Sequence, residues 1–203
     1  MAFHPVQRAA RLVLRLLGWT VDAALPPQPR GVVIVYPHTS NWDFVVGYLA
    51  KVAAGLRLQW IGKDSLFRWP FGALLRHMGG IPVRRGARAG FIDELTREFA
   101  VRDRIWVAIA PEGTRSWTDH WKSGFYHLAL AARVPVGLAT IDWGRRLIQL
   151  RETMELTGDP EADLVRLRAF YRGVRGLRPE RASQIRFREP DRPGPLSGSR
   201  GAS

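Results

Sequence analysis

Apolar and polar residues alternate along the chain in blocks that predict strands and helices in turn. Short apolar runs rich in β-branched residues predict strands near residues 31–36, 57–61, 80–83, 104–109, 134–140 and 146–150. Apolar residues at helical spacing predict helices near residues 42–55, 65–77, 88–101, 122–132 and 160–174. Because strands that alternate with helices are typical of βαβ units, the sequence predicts a single α/β domain with a mostly parallel or mixed central sheet flanked by helices.

The two ends of the chain differ from this pattern. Residues 1–25 contain VQRAARLVLRLLGW, whose arginines recur every three or four positions while leucine, valine and tryptophan cover much of the remaining circumference. This arrangement predicts a basic amphipathic helix, joined by PPQP at 26–29 to a domain over residues 30–180. Residues 188–203 are rich in Pro, Gly and Ser and predict a disordered tail.

Two segments predict contact with a membrane surface. The N-terminal helix either lies on anionic lipids or packs on the domain's own core with its arginines outward. Residues 65–80, SLFRWPFGALLRHMGG, mix aromatic and leucine side chains with arginine, which suits a headgroup interface as well as a core helix. No apolar run reaches the roughly 18 to 20 residues of a membrane-spanning helix. We therefore expect peripheral association, at the cytoplasmic face of a membrane.

Charge and cysteine content narrow the classes of partner and chemistry. The chain has 31 Lys and Arg against 18 Asp and Glu, a formal net charge of +13. Such a balance favours an anionic partner, whether nucleic acid, a phospholipid surface or a phosphorylated substrate. The absence of cysteine excludes disulfides, thiolate metal sites and a cysteine nucleophile, and it fits a reducing compartment.

The octapeptide PHTSNWDF at 37–44 follows the apolar run GVVIVY and has two interpretations. Ser40 and Asp43 have the spacing of a capping box, in which Asp43 only caps a helix. That box leaves His38 unexplained. If His38 stays on the loop while Asp43 enters the first helical turn, the carboxylate can meet the imidazole, hold its tautomer and leave the other ring nitrogen free to act as a base.

Three further polar stretches fall where predicted strands end. GGIPVRR delivers Arg84 and Arg85, and PEGTRS at 111–116 combines a carboxylate, a hydroxyl and an arginine with a glycine that lets the backbone approach a ligand. WKSGF at 121–125 opens a helix with Lys122, whose ammonium can bind an anion. Each of these basic residues taken alone also fits a solvated surface charge.

The order and spacing of these stretches are similar to those of a known family. HTSNWD, GGIPVRR, PEGTRS with WKSGF, and VPVGLA resemble the four ordered blocks of the glycerolipid acyltransferases of the lysophosphatidic acid acyltransferase (1-acylglycerol-3-phosphate O-acyltransferase) type, over about residues 31–140. The resemblance implies that His38 is the catalytic base and Asp43 its orienting partner. It further implies that Arg85 contacts the acceptor's phosphate and that Glu112, Gly113, Thr114 and Arg115 help to seat the acceptor. With Lys122, these residues are the predicted substrate-binding set.

The activity that this resemblance implies is direct transfer of a fatty acyl group. The donor is an acyl thioester, acyl-CoA or acyl-ACP, and the acceptor is the hydroxyl of a lysophospholipid or a glycerol-phosphate-type compound. We expect no metal and no other cofactor, and no G-x-S-x-G elbow is present to form an acyl-enzyme. Expected partners are an anionic membrane surface and these substrates, without nucleic acid. Two alternatives are a thioester hydrolase with the same pair and a non-catalytic basic module that binds membranes or nucleic acid.

Overall fold

The structure, a computed structural model, describes residues 4–83 and 88–188, apart from the side chains of residues 88–91, 93 and 94. Within these ranges the strands are β1 (Thr20–Ala23), β2 (Arg30–Tyr36), β3 (Gln59–Lys63), β4 (Gly80–Val83), β5 (Ile105–Ile109), β6 (Val136–Asp142) and β7 (Leu147–Met154). The α-helices are α1 (Pro5–Leu16), α2 (Asn41–Ala54), α3 (Gly72–His77), α4 (Arg88–Val101), α5 (Gly124–Ala132) and α6 (Pro160–Phe170). Single 3-10 turns span Asp64–Phe67 and Pro179–Arg181.

The strands form one mixed sheet in the order β1-β7-β6-β2-β5-β3-β4. Neighbouring strands pair in parallel except β6 with β7, which are antiparallel, so that β1 and β7 run opposite to the other five. The predicted α/β domain with a mixed sheet flanked by helices is therefore confirmed. Strand β2 lies in the middle of the sheet, between β5 and β6, and its carboxyl end is the position at which open α/β sheets commonly bind ligands.

Alternate residues of β2 enter separate parts of the core. Val32 and Ile34 pack in the largest buried cluster, which includes side chains of α4, α5 and α6, whereas Val33 packs in a second cluster with Trp106. Both faces of β2 are thus buried, as its uninterrupted apolar sequence predicts for a central parallel strand. The burial of both faces holds β2 firmly, and β2 in turn holds the loop that follows it.

Helix α1 combines the two arrangements that its sequence allows. Ala10 and Leu14 are buried against α2, and the Arg11 guanidinium donates to the Ala53 carbonyl at 2.9 Å. Its other apolar side chains stay exposed, and the largest of these are Val6, Leu12, Val13 and Leu16, together with the C-cap residue Leu17. The predicted helix is present, and one side of it belongs to the same hydrophobic core as the sheet.

The prediction of one continuous helix over 65–77 is wrong. A 3-10 turn at Asp64–Phe67 and the short α3 replace it, separated by an irregular stretch around Pro70. Proline has no N–H to donate and disfavours helical geometry at the preceding residue, here Trp69. The apolar spacing that predicted a helix is therefore interrupted by backbone chemistry.

One strand and one helix end also differ from the prediction. Strand β1 was not predicted, because TVDA is short and carries no apolar run; it forms by pairing with β7 through Val21 and Ile148. Helix α6 ends at Phe170 rather than near residue 174, with Tyr171 as its C-terminal cap. The tail predicted to be disordered lies outside the described residues from position 189 onward.

Candidate active site

The sequence places His38 on the loop between β2 and α2. Strand β2 ends at Tyr36, and α2 begins at Asn41 behind the N-cap residue Ser40, whose hydroxyl accepts the Trp42 N–H at 3.2 Å. The His38 side chain is one-fifth exposed. The loop therefore presents an accessible imidazole at the carboxyl end of the central strand.

Asp43 caps the helix and faces the imidazole with the same carboxylate oxygen. Its Oδ2 accepts the backbone N–H of Thr39 at 2.6 Å and of Ser40 at 2.7 Å, which completes the capping box. The same Oδ2 lies 3.4 Å from Nδ1 of His38. The two interpretations of PHTSNWDF therefore describe a single arrangement, because the cap is what brings the buried carboxylate beside the ring.

The second oxygen of Asp43 has a partner that the sequence interpretation missed. Oδ1 accepts the indole N–H of Trp143 at 2.7 Å. Trp143 directly follows β6 and lies 100 positions from Asp43 in the chain, so that no local sequence pattern predicts the contact. The only signal in the sequence is a tryptophan at the carboxyl end of a strand.

Glu112 lies beneath the loop that carries His38. Its side chain is buried, with Oε2 accepting the His38 backbone N–H at 2.5 Å and Oε1 accepting the Ser183 N–H at 3.2 Å. Burial raises the pKa of Glu112 to about 8; the two backbone N–H donors oppose that rise, and the nearby charge of Asp43 adds to it. This position makes Glu112 a support of the His38 backbone, a contact that the resemblance did not imply.

The chain after α6 closes over the same loop. The Arg178 N–H donates to Oγ1 of Thr39 at 3.2 Å, and a Cβ on Gly176 would lie 2.6 Å from that oxygen, too close for any side chain. Ser183, farther along, also accepts the Tyr36 hydroxyl at its carbonyl at 3.0 Å. The residues that follow the fourth block therefore help to hold His38, although the sequence motifs gave no sign of it.

The PEGTRS loop and Lys122 lie side by side. Gly113 has φ of 65°, a left-handed conformation that favours glycine, and a Cβ there would lie 3.3 Å from Cγ of Lys122. The backbone N–H of Lys122 donates to the Pro111 carbonyl at 2.7 Å. Thr114 accepts the Ser116 N–H through its hydroxyl at 3.2 Å, and Arg115 is exposed. The structure thus brings together four of the six predicted substrate-binding residues: Gly113, Thr114, Arg115 and Lys122.

The Lys122 ammonium has a neighbour that orients it. Its Nζ lies 3.2 Å from Nε2 of the buried His120, whose Nδ1 lies 2.6 Å from Oδ1 of Asp119. When the Nδ1 proton of the ring is donated to Asp119, the lone pair on Nε2 is free to accept from Lys122. Asp119 and His120 therefore orient the ammonium, while Cγ of the same side chain lies beside Gly113.

Arg85, which the resemblance assigns to the acceptor's phosphate, lies outside the described residues together with Arg84. That assignment stays a prediction. Across residues 4–83 and 88–188, no group of three or more His, Asp and Glu side chains is arranged to hold a metal ion. In the same ranges, the helices are all too short or too polar to cross a bilayer.

Comparison with known proteins supports the family resemblance. The sequence model of the acyltransferase family matches residues 22–139, more than half of the 203-residue chain. A comparison with curated proteins finds no match. The crystal structure of the 1-acyl-sn-glycerophosphate (LPA) acyltransferase PlsC from Thermotoga maritima is similar, with a TM-score of 0.56 and 18% identity over 83% of this chain and 76% of that chain. At this identity the likeness shows a common fold, whereas the match over residues 22–139 shows that the chain belongs to the acyltransferase family.

Proposed function

We propose that this protein transfers a fatty acyl group from an acyl thioester to the hydroxyl of a lysophospholipid or glycerol-phosphate-type acceptor. The observation that carries the proposal is the 3.4 Å approach of His38 Nδ1 to the buried Asp43 Oδ2, on a loop that leaves the imidazole partly exposed. Membership of the acyltransferase family supports the reaction class. The similar PlsC fold comes from a protein whose stated acceptor is 1-acyl-sn-glycerophosphate, which supports this acceptor class.

The proposed mechanism is a single transfer from donor to acceptor. With Nδ1 turned toward Asp43, Nε2 of His38 removes the proton of the acceptor hydroxyl as its oxygen attacks the thioester carbonyl. The tetrahedral intermediate collapses, the C–S bond breaks, and the leaving thiolate takes the proton back from Nε2. Asp43 keeps the ring in the required tautomer and stabilises the imidazolium that exists between the two proton transfers.

The proposed binding of anionic groups uses the basic side chains of the second and third blocks. Lys122 is exposed and oriented by His120, and Arg115 lies on the neighbouring loop. Arg85 is proposed to contact the acceptor's phosphate on the strength of the motif. Phosphate esters are bound by such side chains through charge-assisted hydrogen bonds, which are stronger than hydrogen bonds between neutral groups.

We further propose that the protein works at a membrane surface, where its acceptor would reside. The exposed leucines of α1 include Leu16, which is 77% exposed, and the segment between the 3-10 turn and α3 presents Trp69 at 93% exposure. Arg8 and Arg15 are exposed on α1 and can bind anionic headgroups. Apolar and aromatic side chains accompanied by arginine are the composition of an interfacial contact.

An assay that follows both products tests the proposed reaction. Purified protein is mixed with acyl-CoA or acyl-ACP and a panel of lysophospholipids and glycerol phosphates, and the released thiol and the acylated lipid are measured separately. Equal amounts of thiol and acylated lipid, dependent on acceptor, support the proposal. Thiol release without acylated lipid would instead indicate a hydrolase, and the absence of both products across the panel would support the non-catalytic alternative.

A further inference from the structure

Trp143 holds the one oxygen of Asp43 that the helix cap leaves free. Oδ2 accepts the N–H groups of Thr39 and Ser40, whereas Oδ1 accepts the Trp143 indole N–H at 2.7 Å. A carboxylate bonded at one oxygen alone can rotate about its Cβ–Cγ bond. With donors at both oxygens, the rotation is restricted, and Oδ2 is held toward His38.

Trp143 is itself held by two contacts. Its backbone N–H donates to the Arg175 carbonyl at 2.8 Å. Its ring meets Trp19 edge to face, with centroids 4.8 Å apart and planes at 85°, a favoured geometry for aromatic pairs. Trp19 is buried, and its backbone N–H donates to the carbonyl of Leu14 in α1 at 2.8 Å. One aromatic ring therefore separates the end of α1 from the indole that binds Asp43.

We propose that Trp143 is a positioning residue of the acyl-transfer site and that Trp19 keeps the indole N–H of Trp143 in its hydrogen bond with Asp43. This inference rests on the proposed role of the His38–Asp43 pair. Both tryptophans lie outside residues 22–139, the part of the chain that matches the family. On this account the N-terminal segment serves the reaction in two ways: the exposed leucines of α1 contact lipid, and the buried Trp19 that follows α1 helps to fix the catalytic carboxylate.

The first test removes the indole N–H together with the five-membered part of the ring. Trp143→Phe keeps an aromatic ring against Trp19 but leaves Oδ1 of Asp43 without its donor. The matched control is Trp106→Phe, because Trp106 is also a tryptophan whose indole donates to an oxygen, the Gln28 carbonyl at 3.0 Å, away from the His38 loop. We expect Trp143→Phe to lower kcat by roughly tenfold to a hundredfold, the effect of losing a charge-assisted hydrogen bond. The KM values of both substrates should stay within about twofold, and Trp106→Phe should keep its kcat.

A double variant tests the part played by Trp19. If Trp19 acts by holding the Trp143 indole, Trp19→Leu should lower kcat in the wild-type background but have little further effect once the N–H is absent in Trp143→Phe. Residues that act through one contact show such non-additivity, whereas independent sites add. Additive losses of kcat would overturn the proposed link between Trp19 and Asp43.

A spectroscopic measurement keeps the inference testable if Trp143→Phe folds poorly. In protein with 15N-labelled tryptophan, Asp43→Asn should shift the indole N–H resonance of Trp143 more than that of Trp106. An unmoved Trp143 resonance, or a kcat for Trp143→Phe equal to that of Trp106→Phe, would overturn the positioning role. His38→Ala, measured in the same assay, separates this outcome from failure of the proposed function, since only the latter predicts an active His38→Ala protein.

Discussion

Glu112 makes the stability of this protein depend on pH in a predictable direction. Its carboxyl is buried beneath the His38 loop, and burial raises its pKa to about 8 from an ordinary value of 4.5. Between these two pH values the folded chain keeps a proton that the unfolded chain loses. The stabilisation is therefore fully present below about pH 4.5 and is lost as the pH rises through about 8.

The size of the effect follows from the same interval. At about 1.4 kcal/mol for each pH unit, the interval from 4.5 to about 8 corresponds to at most about 5 kcal/mol of unfolding free energy. Glu112→Gln removes the titrating proton while keeping the size of the side chain. Its amide oxygen can accept only one of the two N–H groups, from His38 or from Ser183, so the variant should also lose about 1 to 3 kcal/mol at every pH.

Urea unfolding of wild type and variant, at a series of pH values from about 4.5 to 8.5, checks this prediction. We expect the wild type to lose several kcal/mol more than Glu112→Gln over this range, so that its advantage at low pH shrinks as the pH rises and is reversed once the loss exceeds about 1 to 3 kcal/mol. Glu98→Gln is the matched control, because Glu98 is a partly exposed glutamate paired with Arg102, and its curve should stay parallel to the wild type. Parallel curves for Glu112→Gln as well would refute the raised pKa.

Three further predictions concern ligand binding and the membrane. His120→Ala should raise the KM for an anionic substrate several-fold because Lys122 loses its partner. His120→Gln should restore most of the affinity because its amide oxygen can replace Nε2, and equal KM values in both variants would contradict the proposed orientation. Arg85→Ala should lower kcat/KM for a phosphorylated acceptor roughly tenfold to a hundredfold, and the reverse pattern, with Arg84→Ala as the damaging change, would move the phosphate contact by one residue. Leu16→Asp should weaken co-sedimentation with anionic vesicles more than Val101→Asp, although both side chains are 77% exposed, and indifference to Leu16→Asp would remove α1 from the membrane contact.

The packing of the N-terminal segment decides which variant can test membrane binding. Deletion of residues 1–20 would remove Leu14 and Trp19, which pack against α2 and Trp143, and would therefore damage the domain as well as the membrane contact. A change at an exposed leucine leaves this packing intact. For this reason the point substitution in α1, rather than the deletion, separates lipid binding from folding.

The elements that could be predicted are those whose own residues decide them. Strand β2 follows from an uninterrupted apolar run, and the start of α2 follows from the cap formed by Ser40 and Asp43. Strand β1 could not be predicted, because its four residues become a strand only by pairing with β7. The interruption before α3 depends on Pro70, whose effect on the backbone outweighs the apolar spacing around it.

The same distinction applies to the candidate site. His38 and Asp43 could be placed together because a five-residue step from loop to helix is a local matter. Their supports could not, because Trp143 reaches Asp43 from 100 residues away and Ser183 reaches Glu112 from 71. Such partners depend on how the sheet and the segment after α6 fold together, and no local sequence pattern predicts that arrangement.

The central claim is that His38, oriented by Asp43, removes the proton from the acceptor hydroxyl. Its most direct test is the rate of acylated-lipid formation by His38→Ala, with His77→Ala as the control because His77 is an exposed histidine on α3. We predict that His38→Ala loses about a hundredfold to ten-thousandfold in kcat, the usual contribution of a positioned general base, with an unchanged unfolding transition. A folded His38→Ala protein that forms acylated lipid at the rate of His77→Ala would contradict the account.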